Sequence, residues 1–174
     1  MKGTPHEHAL LAAKWLHCGD DSRWSDFPRY WMAFNALYNA VRENRAPEVD
    51  AVTKVIRLFF DAPAAQDCLT NIGPYTAALI ALPPGDDRFS PTSPNYRQKS
   101  TAFVSQFQGS ADPVERLAAV MAIVYLVRCN LMHGSKDPTV MRDQNLVAAC
   151  TPILAVLVPR LENIMYGYHD VPVR

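Results

Sequence analysis

The hydrophobic pattern of the chain is strongest between residues 117 and 132, where the sequence reads LAAVMAIVYLVRCNLM. At about 3.6 residues per helical turn, steps of three and four place apolar residues on one stripe. Arg128 and Asn130 are the strongly polar residues of this segment, so the helix is apolar nearly all round. Such a helix needs neighbours on every side, which predicts a central position in a bundle. The stripe consists of Leu117, Val120, Val124, Val127 and Leu131.

Both ends of this helix carry local signals. Asp112 is a residue type that caps helices, and Pro113 suits the first helical position, so the helix is predicted to begin there. His133 and Gly134 follow the last apolar residues, and glycine readily adopts the left-handed conformation that ends many helices.

The rest of the chain also has helical periodicity, without strand-like alternation of useful length. Gly73–Pro74 is predicted to interrupt residues 64–82, which hold one or two short helices, and Pro152 and Pro159 to kink or split the last helix. We therefore predict an all-α fold, a single-domain helical bundle of about five to seven helices over residues 1–174. Further helices are predicted at about residues 5–17, 25–44, 49–60, 98–107 and 143–166.

Residues 83–95, PPGDDRFSPTSPN, form a proline-rich polar segment without helical periodicity. This pattern is typical of a loop, and we expect it to be the most mobile part of the chain. A plain surface loop is favoured over a lid or an RNA contact.

Composition limits the classes of function. Hydrophobic residues make up 49% and charged residues 20%, which is typical of a globular protein. The 17 Lys and Arg balance the 17 Asp and Glu, which argues against coating nucleic acid through a broad basic face but permits a local basic groove. The N-terminal apolar run is too short for a secretory signal, and the two longer apolar stretches are too short or contain prolines. We expect a cytoplasmic protein that does not enter the membrane.

Arg128 and His133 are the strongest functional signal. A guanidinium cannot lose its charge, so at the edge of an apolar stripe it needs an anion or many acceptors. Positions five apart differ by about 140° on a straight helix, so the two side chains do not share a face. They can meet if the helix unwinds at Gly134, or if two copies share one cleft in a homodimer. A fixed cation and a titratable imidazole at a helix end predict a phosphate site.

These groups suit RNA cleavage without a metal. A base takes the proton of the ribose 2′-OH, the oxygen attacks the adjacent phosphorus, and an acid protonates the leaving 5′-oxygen. Imidazole has the intrinsic pKa for proton transfer near neutrality, and a guanidinium stabilises the charge on the non-bridging oxygens. The amide of Asn130 could orient the imidazole or hold a phosphate oxygen.

The segment YLVRCNLMHG, residues 125–134, resembles the signature of HEPN domains. That signature is an arginine, four to six residues including a polar one, and a histidine, late in a helix of an all-α bundle. WMAFNALYNA, residues 31–40, also resembles an early helix of some members. By position, Arg128 and His133 match the catalytic pair and Asn130 matches the intervening polar residue. Many members have that polar residue directly after the arginine, where this chain has Cys129.

The resemblance implies a metal-independent endoribonuclease, a toxin or defence effector that needs no cofactor and leaves a 2′,3′-cyclic phosphate and a 5′-hydroxyl. It further implies a homodimer whose motifs face each other, RNA as substrate, and a neutralising antitoxin protein as partner. The alternative is a non-catalytic HEPN-like module that binds RNA, a nucleotide or a partner protein. A third possibility is an interaction subunit whose apolar faces bury against another protein.

Several residues also have structural interpretations. Arg128 could pair with a buried acid and His133 could cap its helix, although the central helix has no acid after Glu115. Asn35, Tyr38 and Arg42 recur with Trp31 at helical spacing, and a core face is favoured, with Asn35 satisfied by a neighbouring helix. The functional alternative places Asn35 or Arg42 beside the phosphate and lets Tyr38 stack on a base. The N-terminal histidines match no standard zinc spacing, so no metal is expected; these residues are His6, His8 and His17, with Cys18.

Overall fold

A computed structural model of the chain describes residues 26–86, 89–132 and 141–167. These residues form six α-helices and one short 3₁₀-helix, Pro94–Tyr96, without a strand. The predicted all-α fold class is therefore confirmed. The α-helices are α1 Asp26–Asn39, α2 Glu48–Phe59, α3 Ala62–Ala81, α4 Gln98–Gly109, α5 Pro113–Met132 and α6 Met141–Tyr166.

Helix α5 is the central helix. It contacts α2, α3, α4 and α6, and every residue from Leu117 to Val124 is at most 1% exposed. The helix has no polar face in this stretch, so it is stable only where neighbours cover its whole circumference. The central position predicted from the sequence is confirmed.

Helix α1 contributes an aromatic cluster to the same core. Trp31 lies 5.5 Å from Phe34 and 6.0 Å from Tyr38 between ring centroids, and all three side chains are fully buried. Their spacing of three and four places the rings on one face of the helix. Trp31 also lies 6.3 Å from the ring of Tyr125 on α5, so this cluster joins the two helices.

The predicted interruption of residues 64–82 is wrong, and the last helix is not split. Helix α3 continues through Gly73 and Pro74, and α6 is one helix through Pro152 and Pro159. The carbonyl that loses its helical donor at Pro74 is that of Thr70, and Thr70 is exposed, so water can satisfy it. Buried side chains on both sides of Pro74, at Ile72 and Thr76, hold the two halves of α3 in the core.

The second predicted helix extends less far than expected. It ends at Asn39 rather than near residue 44, and the chain tightens into turns in which Ala40 N donates to Leu37 O at 3.2 Å. Arg45 adopts a left-handed conformation with φ of 67°, which a helix does not allow. The predicted N-terminal helix, over residues 5–17, lies outside the described residues.

The described parts of the 83–95 loop differ in their packing. Pro84, Gly85 and Asp86 are buried, whereas residues 89–92 are exposed. Asp86 N donates to Tyr96 O at 2.6 Å, and the Tyr96 ring occupies the space that a side chain at position 85 would need. The beginning of the loop is therefore fixed in the fold.

One described segment, Gln144–Tyr166 in α6, is long and apolar enough to cross a membrane. Ile153, Leu157 and Leu161 of this segment are fully buried in the core. Buried helices of globular proteins have the same composition, so the segment is weak evidence for a membrane span.

The start of α5 gives a direct test of the capping interaction. Asp112 Oδ1 accepts a hydrogen bond from Val114 N at 2.9 Å. Asp112→Ala should lower the free energy of unfolding by about 1 kcal/mol, whereas Asp112→Asn should keep most of the stability because asparagine also caps. Urea denaturation of the three proteins measures this, and an equal loss in both variants would contradict the assigned cap.

Candidate functional site

Arg128 lies near the C-terminal end of α5 with its side chain 22% exposed. Its Nη1 is 3.3 Å from Oε2 of Glu48, the first residue of α2, and its guanidinium carbon is 5.5 Å from the centroid of the Trp31 ring. The anion that the charge requires therefore comes from another helix. This ion pair matches the structural interpretation of Arg128, with the acid supplied from outside α5.

Glu48 also joins Arg128 to α1. Its Oε1 accepts a hydrogen bond from the hydroxyl of Tyr38, while Oε2 faces Arg128. The carboxylate lies in the first turn of α2, where the partial positive charge of the helix N-terminus favours an anion. We call these four residues from three helices, Trp31, Tyr38, Glu48 and Arg128, the arginine cluster.

The tyrosines near this cluster are held in their protonated form. Burial raises the pKa of Tyr38 well above its usual value, and the hydrogen bond to Glu48 raises it further. Burial likewise raises the pKa of Tyr125, with an added effect of the neighbouring Cys129. At neutral pH both are hydrogen-bond donors rather than bases.

The arginine cluster contains two buried donors without a hydrogen-bond partner among the described residues. They are Nε of Arg128 and Nε1 of Trp31. A buried donor that lacks an acceptor lowers the stability of the folded state by about 1–3 kcal/mol, so such groups are uncommon in a protein core. Their presence beside a partly exposed guanidinium marks this part of α5 as a candidate site for an acceptor-rich ligand.

Asn130 has a different position from Arg128. It is 6% exposed, and its Nδ2 donates to the carbonyl oxygen of Gly85 at 2.6 Å. Arg142, near the start of α6, adds bonds to Pro83 O at 3.2 Å and to the Tyr96 hydroxyl at 3.3 Å. Asn130 and Arg142 together fasten the beginning of the 83–95 loop to the ends of α5 and α6.

The other predicted binding residues lie on or after α1. Asn35 Oδ1 accepts a hydrogen bond from Asn39 Nδ2 at 2.9 Å, so this partner lies in its own helix and not in a neighbouring one. Tyr38 is fully buried, with its ring in the aromatic cluster. Arg42 follows α1 in a turn, close enough for its positive charge to lower the pKa of Tyr38, against the larger raising effects.

His133 lies outside the described residues, as do His6, His8, His17 and Cys18. The structure brings Arg128, Tyr38 and Arg42 into one neighbourhood and directs Asn130 to the loop. Sequence reasoning missed Glu48 and Arg142. Glu48 has only a weak signal, an acid in the first turn of a helix, and nothing near Arg142 indicates a loop 59 residues away.

The chain has no significant match to a known family model, a curated protein or a solved structure.

The raised pKa of Tyr38 predicts a loss of stability at alkaline pH. The folded state holds the phenolic proton more tightly than the unfolded chain, so stability falls as pH rises above the unfolded-state pKa of about 10. Tyr38→Phe should lower the free energy of unfolding by about 1.5–3 kcal/mol at neutral pH, because the hydrogen bond to a charged acceptor is lost. The difference in free energy of unfolding between wild type and variant should become smaller above pH 10. Urea unfolding at several pH values measures it, with the exposed Tyr75→Phe as control. A constant deficit would contradict the proton linkage.

The loop contact of Asn130 gives a second test. Asn130→Ala removes the donor from a buried carbonyl and should lower the free energy of unfolding by about 1–3 kcal/mol. Asn71→Ala, which removes an exposed amide bonded within α3, should change it by about 0.5 kcal/mol or less. If Asn130→Ala instead leaves stability intact and abolishes RNA cleavage, Asn130 acts in the chemistry.

Proposed function

We propose that this protein is a metal-independent endoribonuclease of the HEPN type. Arg128 stabilises the charge that develops on the phosphorane oxygens, His133 transfers protons, and Asn130 assists. The products are a 2′,3′-cyclic phosphate and a 5′-hydroxyl. The observation that carries the proposal is the partly exposed guanidinium of Arg128 near the end of a helix whose middle, Leu117–Val124, is buried.

The surroundings of Arg128 suit binding of a phosphate. Glu48 occupies one of the five N–H donors of the guanidinium, which leaves others for a phosphate oxygen. Trp31 and Glu48 restrict the orientation of the side chain before substrate arrives. A donor that is already oriented loses little free energy to reorganisation in the transition state.

Glu48 acts in this proposal as a positioning residue. Its carboxylate would repel a phosphate placed directly against it, so the substrate must approach another edge of the guanidinium. The bond from Tyr38 holds one carboxylate oxygen, which keeps the other directed at Arg128. The acid thus fixes the arginine without taking part in proton transfer.

His133 is the group assigned to proton transfer because the tyrosines of the site do not suit that role. The pKa values of Tyr38 and Tyr125 are raised, so neither accepts a proton near neutrality. An imidazole with an ordinary pKa of about 6.5 exchanges protons in that range.

The biological role that follows from the motif is that of a toxin or defence effector in the cytoplasm. An unregulated ribonuclease would degrade cellular RNA, so a neutralising protein partner is part of the proposal. Arg128 and His133 point in different directions on a straight helix. In a homodimer with a shared cleft they can still act together, because each chain supplies one of the two groups.

One observation favours a second candidate, a non-catalytic module that binds RNA, a nucleotide or a partner protein. Arg128 pairs with the carboxylate of Glu48, and Asn130 binds the carbonyl of Gly85 in the loop, so both residues already stabilise the fold. In this alternative Arg128 is an anion anchor, and ligand binding survives the loss of His133.

Cleavage assays with defined tRNAs and mixed cellular RNA in EDTA separate the two candidates. Arg128→Ala should reduce cleavage about 10²–10³-fold and His133→Ala about 10²–10⁴-fold, with folding checked by circular dichroism. The exposed Arg97→Ala and the N-terminal His8→Ala are matched controls that should cleave normally. Full activity in His133→Ala, or RNA binding without turnover by the wild type, would reject the catalytic proposal.

Mixing the two inactive variants tests the shared cleft in the same assay. If each site combines Arg128 of one chain with His133 of the other, mixed dimers contain one intact site. Random exchange then restores about a quarter of the wild-type activity. No recovery after verified subunit exchange would show that both groups act within one chain.

A further inference from the structure

A cavity of about 440 Å³ lies between α3, α4 and the beginning of α5. Its wall is mainly apolar and includes Leu69, Ile80 and Phe107, with Thr76 and Arg116 as polar members. This size and composition, an apolar wall with few polar groups, are typical of small-molecule sites.

The hydroxyl of Thr76 is the first sign of a ligand. Thr76 is only 4% exposed, and its Oγ1 has no hydrogen-bond partner among the described residues. Helical threonines commonly donate to the carbonyl four residues earlier. Thr70 does so to Gln66 O at 2.9 Å, and Thr151 to Val147 O at 3.1 Å. Thr76 departs from this pattern and retains a buried donor at the cavity wall.

Arg116 supplies a positive charge to the same cavity. Its guanidinium carbon lies 4.6 Å from the centroid of the Phe107 ring. The neighbouring Glu115 is engaged by Arg57 at 2.7 Å and by Gln106 at 2.9 Å, so it is not available to neutralise Arg116. Within the part of the chain that the structure describes, no ion pair of Arg116 is found.

Small residues of α3 keep the cavity open. A Cβ atom at Gly73 would meet no other atom within 4 Å, and Ala77 and Ala81 also line the space. Ala77 and Ala81 are exposed, so the space is open to solvent. An apolar ligand would remove this apolar wall from water, which is favourable.

We propose that this cavity binds a small apolar carboxylate. Its aliphatic or aromatic body lies against Leu69, Ile80 and Phe107, its carboxylate pairs with Arg116, and Thr76 donates to an oxygen of the ligand. The proposal goes beyond the ribonuclease proposal and does not depend on it. Arg116 and Arg128 are 12 residues apart on α5, which is about 18 Å along the helix axis.

Titration calorimetry of the full chain tests the proposal with two anionic probes, decanoate and naphthoate. The matched neutral probes are decanol and naphthol. We expect saturable binding of at least one carboxylate, about tenfold tighter than its neutral analogue because of the charge-assisted pairing with Arg116. Arg116→Gln should remove this preference, and Arg97→Gln should leave it unchanged.

Thr76→Val separates a binding role from a structural one. It replaces a buried unpaired hydroxyl with a methyl group of similar shape, so the melting temperature should stay the same or rise. Carboxylate affinity should nevertheless fall about three- to tenfold through the lost hydrogen bond. Absence of saturable binding by both carboxylates at about 1 mM would overturn the proposal. Unchanged affinity in both Arg116→Gln and Thr76→Val would also overturn it.

Discussion

The complete burial of the middle of α5, Leu117–Val124, is the constraint on which the rest of this structure depends. A helix without a polar face in its middle two turns must be covered on all sides, and α2, α3, α4 and α6 provide that cover. The charge of Arg128 then has no local acid and limited access to water. Glu48, in the first turn of α2, supplies the carboxylate that pairs with Arg128. The hydrogen bond from the Tyr38 hydroxyl to Glu48 adds α1 to the same cluster. The arginine cluster is therefore a direct outcome of how α5 is packed.

The C-terminal end of α5 connects two sides of the molecule. Arg128 and Asn130 are two residues apart, which corresponds to about 200° around a helix. The first is directed to α1 and α2, and the second to the beginning of the 83–95 loop. In the ribonuclease proposal, this places the phosphate-binding cation and the loop on different faces of one rigid element. The loop then shapes the end of α5 without needing to contact substrate.

Local sequence signals predicted much of this fold, and the failures have physical causes. The cap at Asp112 and the apolar circumference of α5 depend on neighbouring residues, so they could be predicted. The effect of Pro74 depends on whether the carbonyl of Thr70, which loses its helical donor, faces water, and this is decided by the tertiary structure. Glu48 was missed because it lies 80 residues from Arg128 along the chain. Periodicity favoured a core position for Tyr38, which its burial confirms, but it could not show that the hydroxyl donates to Glu48.

The close approach of Gly85 to the Tyr96 ring has an evolutionary consequence. Any larger residue at position 85 needs a smaller one at position 96, since the ring fills the space of the missing side chain. Losing that ring with its hydroxyl also removes a partner of Arg142 and leaves its bond to the Pro83 carbonyl as the remaining loop contact among the described residues. Substitutions at positions 85, 96 and 142 are thus expected to be correlated among related sequences, although these positions belong to separate parts of the chain.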